Sequence, residues 1–306
     1  MWKIYPEEKV VSRSGGSKGN SMTRQRAMES IRSLKVAAWL GWQIESNWTD
    51  PFLFVVYSIV KPIAGALILV LMYTVIAQGG LQHPLFPQIF VGNAFYIYVA
   101  MVFIGVSQAV VEDREHYAML KYLYVAPLNI YAYLLGRGGA QTIVATVAVL
   151  IMLFFGIIVL GIPMLPATID WGMLFAAWLF GLTGLAFQGI LLGGIALITA
   201  RHSFLVGEAV AGAFYLLCGA VFPIDVLPRP LQILAQALPI TYWLEALRRA
   251  LLGNGASQLL SSLSSPVLLL ALAGSMILLA VLSIGFYRWA ENLAREKGLI
   301  DMQTMY

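Results

Sequence analysis

Long apolar segments recur along this chain, and they constrain its fold more than any other feature. Six such segments are present, with approximate bounds of 52–77, 86–110, 139–161, 171–199, 203–222 and 266–287. A helix needs about 20 apolar residues to cross a bilayer, whereas a soluble core has no use for such repeated runs. The composition agrees, because 60% of the 306 residues are hydrophobic and the mean hydropathy is +0.81. The sequence therefore predicts an all-α polytopic membrane protein with six transmembrane helices.

The distribution of lysine and arginine predicts how these helices are oriented. Basic residues precede the first segment and follow the second, fourth and sixth, while the loops at 78–85 and 162–170 contain none. Of the segments assigned to the other side, only the last has any: Arg229, Arg248 and Arg249. Because basic residues accumulate on the cytoplasmic side, we expect both termini to be cytoplasmic and the membrane to be a plasma or inner membrane.

Four regions are expected along the chain. Residues 1–21 contain "SRSGGSKGNS", which is typical of a flexible cytoplasmic tail, and residues 1–33 lack the apolar core of a signal peptide. Residues 22–50 combine apolar positions at helical spacing with basic residues and tryptophans, which predicts an interfacial amphipathic helix. A soluble helix packed on a partner is the alternative. Residues 51–290 form the six-span domain, and residues 291–306 form a cytoplasmic C-terminal tail.

No catalytic or metal-binding motif is found in the sequence. "GGSKGNS" has glycines and a lysine, but it lacks the P-loop spacing and a preceding strand. His83, His116 and His202 are far apart, no histidine, cysteine and carboxylate set has metal-ligand spacing, and the single Cys218 excludes an internal disulfide. We therefore expect no catalytic residue, metal or cofactor in this chain. An integral membrane enzyme is disfavoured because the apolar segments hold few polar groups.

Two charges lie inside predicted spans, Lys61 in the first and Glu208 in the fifth. A charge in the middle of a bilayer costs about 2.5–3.5 kcal/mol on insertion scales. The two side chains could pair or form a polar wall of a translocation path. Alternatively, Lys61 extends to the headgroups and Glu208 lies near the interface. The sequence leaves both interpretations open.

Spans two and five each carry a line of polar and aromatic residues. Steps of three and four positions place each line on one helix face. These faces would line a substrate path if they met across a cavity, and ordinary helix packing is the alternative. The candidates are Asn93, Tyr96, Phe103 and Ser107 in span two, and Tyr215 and Phe222 in span five.

The segment between spans five and six reads "FPIDVLPRPLQILAQALPITYWLEALRRALLG" and covers residues 222–253. Its prolines break it too often for one spanning helix, and its apolar residues form short amphipathic pieces instead. Irregular backbone enters a membrane only where protein or water forms hydrogen bonds with its N–H and C=O groups. We therefore expect short extracellular re-entrant helices. The residues singled out here are Pro223, Asp225, Pro228, Pro239, Tyr242 and Glu245.

That segment resembles the C-terminal motif of ABC transporter type-2 permeases, the membrane subunits of one class of ABC exporter. In this motif a Phe-Pro-Ile/Leu, a further Leu-Pro, a Leu/Asn-Pro-x-Thr-Tyr and an acidic residue recur around outer re-entrant helices. "EHYAMLKYLYVAPLNIYAYLLGR" at residues 115–137 resembles the family's loop between spans two and three. "NWTDPFLFVVYSIVKP" resembles its entry into span one. The resemblance covers roughly residues 30–290.

The resemblance implies six-helix subunits that work as dimers on ATPase subunits. Since this chain has no ATPase motif, ATP and magnesium would be bound by a separate nucleotide-binding subunit. Spans two and five would line the translocation path. The loop between spans two and three would carry a coupling helix that docks on the ATPase. The docking residues are Glu112, Asp113, Arg114, Glu115, His116, Tyr117, Leu120 and Lys121. Their charge also favours a soluble partner on physical grounds; the alternative is that these charges merely end span two in water.

The expected function is export of a hydrophobic or amphipathic, drug- or lipid-like substrate, because the candidate path is aromatic and weakly polar. The expected partners are ATPase subunits, a second permease subunit and membrane lipid, with no nucleic acid. A polysaccharide or glycoconjugate exporter is an alternative, although "WQIESNW" stands where that branch usually has a basic, aromatic motif. An ATP-independent secondary transporter is a further alternative, although the sequence shows no convincing inverted repeat of the kind such transporters often have.

Overall fold

The computed structural model describes residues 15–46, 51–76, 83–126, 128–199 and 203–302, and within these residues the chain folds into twelve α-helices. These are α1 (Gly15–Ser46), α2 (Pro51–Ile76), α3 (Phe86–Tyr98), α4 (Ile104–Glu115), α5 (Leu120–Val125), α6 (Ile130–Ile158), α7 (Trp171–Ile198), α8 (Ser203–Leu217), α9 (Arg229–Ala237), α10 (Pro239–Leu252), α11 (Gln258–Ser261) and α12 (Ser265–Glu296). A π-helical segment, Val99–Phe103, joins α3 to α4, and a 3₁₀ turn, Ile224–Val226, precedes α9.

Among the described residues, four helical stretches are long and apolar enough to cross a membrane. They are Phe86–Glu115, Ile130–Ile158, Trp171–Ile198 and Ser265–Glu296. Two shorter apolar helices, Pro62–Val75 and Leu205–Leu217, lie within α2 and α8. Every predicted apolar segment thus coincides with a helix, and the all-helical prediction is confirmed for the part of the chain that the structure describes. Crossing by α2 and α8 stays a prediction.

Several helix ends differ from the predicted ones. Helix α1 spans Gly15–Ser46 and so includes residues 15–21, which were assigned to the flexible tail. The second apolar helix continues past residue 110 to Glu115, and α6 begins at Ile130 rather than 139. The Asn129 side chain accepts hydrogen bonds from the first backbone N–H groups of α6 and fixes this early start. As a result, Arg137 lies inside a helix, where the sequence had indicated a loop.

The two predicted tails are described only in part. Helix α12 extends to Glu296 and so includes the beginning of the predicted C-terminal tail. Residues 1–14 and 303–306 lie outside the described residues.

Helix α1 packs along α6 through small residues. A Cβ atom at Gly136 would lie 2.8 Å from the Ala37 Cβ, and one at Gly41 would lie 2.9 Å from the Ala140 Cβ. Glycine at these positions lets the two backbones approach. In residues 28–46, where its side chains are described, α1 exposes the apolar Met28, Ile31, Val36 and Trp39 together with the charged Glu29, Arg32 and Lys35. The helix therefore packs on its own chain and exposes both apolar and charged side chains; its place at the membrane interface stays a prediction.

Helix α7 is the common neighbour of α4, α8, α10 and α12. A Cβ atom at Gly189 would lie 2.7 Å from the Val106 Cβ on α4, and one at Gly194 would lie 3.1 Å from Phe286 on α12. Helix α10 packs against α3, α7 and α12 and buries Trp243 among them. The longest helix of the 222–253 segment is therefore part of the helix bundle.

Candidate coupling loop and translocation face

The connection between α4 and α6 is a tightly folded loop that contains α5. The Tyr117 N–H donates to the Glu112 carbonyl at 2.9 Å, and the Met119 N–H donates to the Asp113 carbonyl at 2.8 Å. Between them Ala118 adopts a φ of 50°, which is uncommon for a residue other than glycine. The turn fixes the direction in which α5 leaves the end of α4.

Charged side chains at the end of α4 pair with α6 inside the protein. The Arg137 guanidinium lies 2.9 Å from the Glu112 carboxylate and 3.3 Å from the Asp113 carboxylate. The Tyr133 hydroxyl donates to the other Asp113 oxygen at 2.8 Å. Asp113 is fully buried, and a buried charge is retained only when it is paired. We call these four residues the Arg137 cluster.

Arg114 joins the end of α4 to the end of α7. Its Nη1 donates to the backbone carbonyls of Ala196 at 3.0 Å and Leu197 at 3.3 Å, and its Nε lies 2.9 Å from Glu115 Oε1. The last carbonyls of a helix lack partners within the helix and carry a partial negative charge, which a guanidinium complements. Together with the Arg137 cluster, this contact ties the loop to both α6 and α7.

These contacts correct the predicted docking surface. Asp113, Arg114 and Glu115 were expected to face a partner, but each is at most 3% exposed, and Leu120 is buried as well. Successive residues of a helix point about 100° apart, so Asp113 faces α6 while Arg114 faces α7. Glu112 is half-buried by its pair with Arg137. The exposed members of the predicted set are His116, Tyr117 and Lys121, and α5 adds Tyr122 and Val125 beside them. Docking by these residues stays a prediction.

Tyrosines anchor the loop to α12. The hydroxyl oxygens of Tyr124 on α5 and Tyr287 on α12 lie 3.0 Å apart, and the Arg295 guanidinium lies 4.9 Å from the centre of the Tyr124 ring. Burial raises the pKa of Tyr124, and partial burial raises that of Tyr117, so both phenols are neutral at physiological pH. The loop is thus held by α12 in addition to α6 and α7.

Sequence reasoning missed Arg137, Tyr133 and the α7 carbonyls as partners of the charged stretch. One signal was available: Tyr133 and Arg137 are four positions apart, so a helix that begins before residue 139 places them on one face. The contact to α7 has no comparable signal, because every residue has a backbone carbonyl.

The faces of α3 and α8 that were predicted to line a path are in direct contact. The Tyr215 hydroxyl donates to Asn93 Oδ1 at 2.9 Å, and the Tyr96 and Tyr215 rings lie 4.8 Å apart. The Tyr96 hydroxyl donates to the Ala211 carbonyl. The Phe103 ring continues this contact, 5.5 Å from the Phe214 ring of α8. Tyr215 keeps 37% of its surface exposed, so the contact reaches the edge of the chain.

Ser107 follows the π-helical segment and is buried. A Cβ atom at Gly193 of α7 would lie 3.9 Å from the Ser107 Cα. A Cβ atom at Gly207 of α8 would lie 4.0 Å from Ile104 and 3.9 Å from Gln108, so these two residues of α4 are the nearest to α8 at this level. A place for Ser107 on the path stays a prediction.

Phe222 lies apart from this contact. Helix α8 ends at Leu217, and Phe222 packs with Ile224 and Leu260 in the following segment. Glu208 is exposed on α8. The side chain of Lys61 lies outside the described residues, so its pairing with Glu208 stays a prediction.

A buried charge network holds α10 in the bundle. Arg248 donates from Nε to the Gln88 carbonyl at 2.8 Å and from Nη2 to the Gly219 carbonyl. Glu245 lies 3.9 Å from Arg248 and 3.3 Å from Arg249, and it accepts the backbone N–H of Ala256 at 3.1 Å. Glu245 was singled out from the sequence, and the structure places it at the centre of this network.

The other residues singled out in that segment shape its turns. Pro223 and Pro228 directly precede the 3₁₀ turn and α9, and Pro239 is the first residue of α10, where its missing N–H is not needed. Asp225 accepts the N–H groups of Gln258 and Leu259, both at 3.0 Å, and so caps α11. Tyr242 is half-buried beside this turn cluster.

Comparison with known proteins assigns a family to this arrangement. The sequence model of the ABC-2 type transporter family matches residues 34–252, which is more than half of the 306 residues. The matched range extends from α1 to the end of α10 and includes both the α4–α6 loop and the α3–α8 contact. The comparison with curated proteins gave no match. With its long apolar helices and this match, the chain belongs to the ABC-2 type transporter family of transmembrane permeases.

Proposed function

We propose that this chain is the permease subunit of an ATP-driven exporter, with ATP and magnesium bound by a separate nucleotide-binding subunit. Permeases of this family normally work with ATPase subunits. The observation that carries the proposal is the construction of the α4–α6 loop. Its exposed residues His116, Tyr117 and Lys121 sit on a turn whose charges are buried and paired to α6 and α7.

Such a loop can transmit force into the helix bundle. A partner that pushes on Tyr117 or Lys121 acts on a turn that is tied to two other helices. Arg137 of α6 pairs with Asp113, and Arg114 donates to the Ala196 carbonyl of α7. Paired, buried side chains have discrete arrangements and shift together, so displacement of the loop moves the ends of these helices. Helix α4 continues through the π-helical segment into α3, which carries Asn93 and Tyr96.

The rest of the assembly is proposed on the same basis. Helices α2 and α8 complete six spans with both termini in the cytoplasm, and α9 and α10 re-enter the membrane from the outside of a plasma or inner membrane. A second permease subunit would face the exposed side of α8, where Glu208, Gly212 and Tyr215 are accessible. The weakly polar, aromatic α3–α8 contact favours a drug-like or lipid-like substrate.

The first test asks whether an ATPase accompanies the chain. The tagged chain is extracted from the membranes of its own host, and magnesium-dependent ATP hydrolysis is measured in the purified sample. We expect hydrolysis to co-purify with the wild type and to be lost with Lys121→Glu. Arg229→Glu is the matched control, because it reverses a similarly exposed charge at the beginning of α9.

The alternatives give different results in the same system. Transport of an amphipathic dye by inside-out vesicles should require ATP and stop when hydrolysis is blocked. Transport that proceeds without ATP and without a bound ATPase would indicate a secondary transporter. ATP-dependent export of a polysaccharide or glycoconjugate, without dye transport, would assign the chain to the glycan-exporting branch.

A further inference from the structure

The chain that follows α12 turns away from the helix axis in a defined way. Gly298 adopts a φ of 67°, which favours glycine, and its N–H donates to the Arg295 carbonyl at 3.3 Å. The Leu299 N–H donates to the Ala294 carbonyl at 2.9 Å. These two hydrogen bonds are those of a Schellman cap, which ends a helix and redirects the chain. We call residues 297–302 the C-terminal segment.

Apolar contacts hold the C-terminal segment against the α4–α6 loop. Leu299 and Ile300 are half-buried and pack against the buried cluster that contains Leu120 of α5. The end of α12 is joined to α5 as well, through the contact between the hydroxyls of Tyr287 and Tyr124. The C-terminal segment and α5 therefore lie side by side.

A continuous line of exposed side chains connects the C-terminal segment to α5. The Asp301 carboxylate lies 3.8 Å from Lys121 Nζ, which lies 5.4 Å from the centre of the Tyr122 ring. Tyr122 is 66% exposed and Val125 is 86% exposed, and their spacing of three positions places them on one face of α5. Met302, next to Asp301, is 46% exposed. Exposed apolar side chains that adjoin one another in this way mark a contact surface.

The composition of this surface favours a protein partner over lipid. Anionic headgroups are attracted by clusters of basic residues, whereas Lys121 is balanced here by Asp301. Tyrosine and methionine bordered by charges of both signs are typical of protein–protein interfaces. We infer that the C-terminal segment and α5 together form the surface that contacts the nucleotide-binding subunit. This inference rests on the proposed function, which supplies that partner.

A contact with the C-terminal segment would give the ATPase a second point of action. The segment continues α12, and α12 packs along α7. Helix α5, in contrast, connects α4 to α6. A partner bound to both parts of the surface would therefore move α12 together with α4 and α6.

Photo-cross-linking in native membranes of the host tests this inference. Benzoylphenylalanine is introduced separately at Tyr122, at Met302 and, as the control, at Trp289. Trp289 is 56% exposed on α12 and lies two residues from Tyr287, so the two side chains point about 200° apart around the helix. We expect adducts with the nucleotide-binding subunit from positions 122 and 302 and none from position 289.

Charge variants test whether Asp301 holds the C-terminal segment on α5. Asp301→Lys replaces an exposed ion pair by repulsion from Lys121, so we expect the adduct from position 302 to fall about threefold to tenfold. Glu296→Lys is the matched control, because it makes the same charge reversal at an exposed carboxylate at the end of α12. Size-exclusion chromatography establishes that each variant is folded. Asp301→Asn, which removes the charge without repulsion, replaces Asp301→Lys if that variant is not.

The results separate this inference from the proposed function. An adduct from position 122 without one from position 302 would overturn the inference and leave the exporter function intact. No adduct from either position would overturn it together with docking by the loop, and ATP hydrolysis in the purified sample then tests the exporter function separately.

Three further results would also overturn the inference. Phospholipid adducts in place of protein adducts at position 302 would assign the C-terminal segment to the membrane surface. Equal adducts from positions 302 and 289 would show contact without selectivity. Equal adducts from Asp301→Lys and Glu296→Lys would show that the ion pair does not hold the segment in place.

Discussion

At the scale of single residues, Asp113 and Arg137 show why charge is concentrated in one part of a very apolar chain. Asp113 has no exposed surface and receives hydrogen bonds from both Arg137 and Tyr133. Removing an ionised carboxylate from water is expensive unless a counter-charge and hydrogen bonds replace its hydration. The pair is therefore sensitive to loss of either member alone and less sensitive to loss of both.

The substitution Arg137→Met tests this coupling. It leaves Asp113 buried without its counter-charge, so we expect the free energy of unfolding in detergent to fall by about 3–5 kcal/mol. The double variant Asp113→Asn/Arg137→Met should recover much of that loss. Lys121→Met, which removes an exposed charge 3.8 Å from Asp301, should change stability by only about 0–1 kcal/mol. Additive effects of Asp113→Asn and Arg137→Met would contradict the pairing.

Gly92 is expected to be essential for the position of Arg248. A Cβ atom at residue 92 would overlap the buried Arg248 guanidinium, which is fixed by the carbonyls of Gln88 and Gly219. We expect Gly92→Ala to lower the thermal unfolding temperature and to reduce stability by about 1–3 kcal/mol, as overpacking does. Gly65→Ala is the control, because its Cβ would meet no atom within 4 Å. Equal unfolding temperatures for the two variants would refute this role.

At the scale of elements, the apolar segments predicted from the sequence all coincide with helices, while several helix ends do not. Hydrophobic runs indicate where a helix crosses an apolar phase, but not where it ends: the stretch Ile130–Arg137 is capped by Asn129 and held by the pairing of Arg137 with Asp113 on α4. The π-helical segment Val99–Phe103 was likewise not predictable, because it depends on how α3 and α4 each pack.

Deletion of Ala100 tests the importance of the π-helical segment. Removal of one residue converts the segment to regular helix and rotates α4 by about 100°, which takes Asp113 and Arg114 away from their partners on α6 and α7. We expect this variant to lose its monodisperse peak in fluorescence-detected size-exclusion chromatography. Deletion of Ala167, in the exposed loop between α6 and α7, should leave the peak intact. A normal peak for the Ala100 deletion would argue against a structural need for the extra residue.

At the scale of the whole molecule, the sequence was sufficient to predict the family, and the match over residues 34–252 confirms it. The packing of α10 against α3, α7 and α12 could not be predicted from the sequence. It depends on the close fit of the Trp243 ring against Gly181 and on the buried Arg248. The sequence indicated a charged connection between the second and third apolar segments, but which of its charges face solvent depends on the bundle around them.

The α3–α8 contact should affect transport more than ATP use. Tyr215→Ala removes the hydrogen bond to Asn93 and the ring contact with Tyr96 at the exposed edge of this face. In vesicles that contain the permease and its ATPase, we expect roughly a tenfold loss of substrate transported per ATP hydrolysed, with basal hydrolysis retained. Phe154→Ala removes an exposed aromatic ring from α6 and should leave this ratio unchanged. Parallel loss of transport and hydrolysis would instead place Tyr215 in the general coupling machinery.

The central claim is that the α4–α6 loop contacts an ATPase, and site-specific cross-linking tests it most directly. A benzoylphenylalanine is introduced at Tyr117, in the loop, and separately at Trp171, an exposed residue at the opposite end of α7. After irradiation of native membranes, the account predicts an adduct between the permease and a nucleotide-binding subunit from position 117 and none from position 171. The absence of an adduct at 117, or equal adducts at both positions, would contradict it.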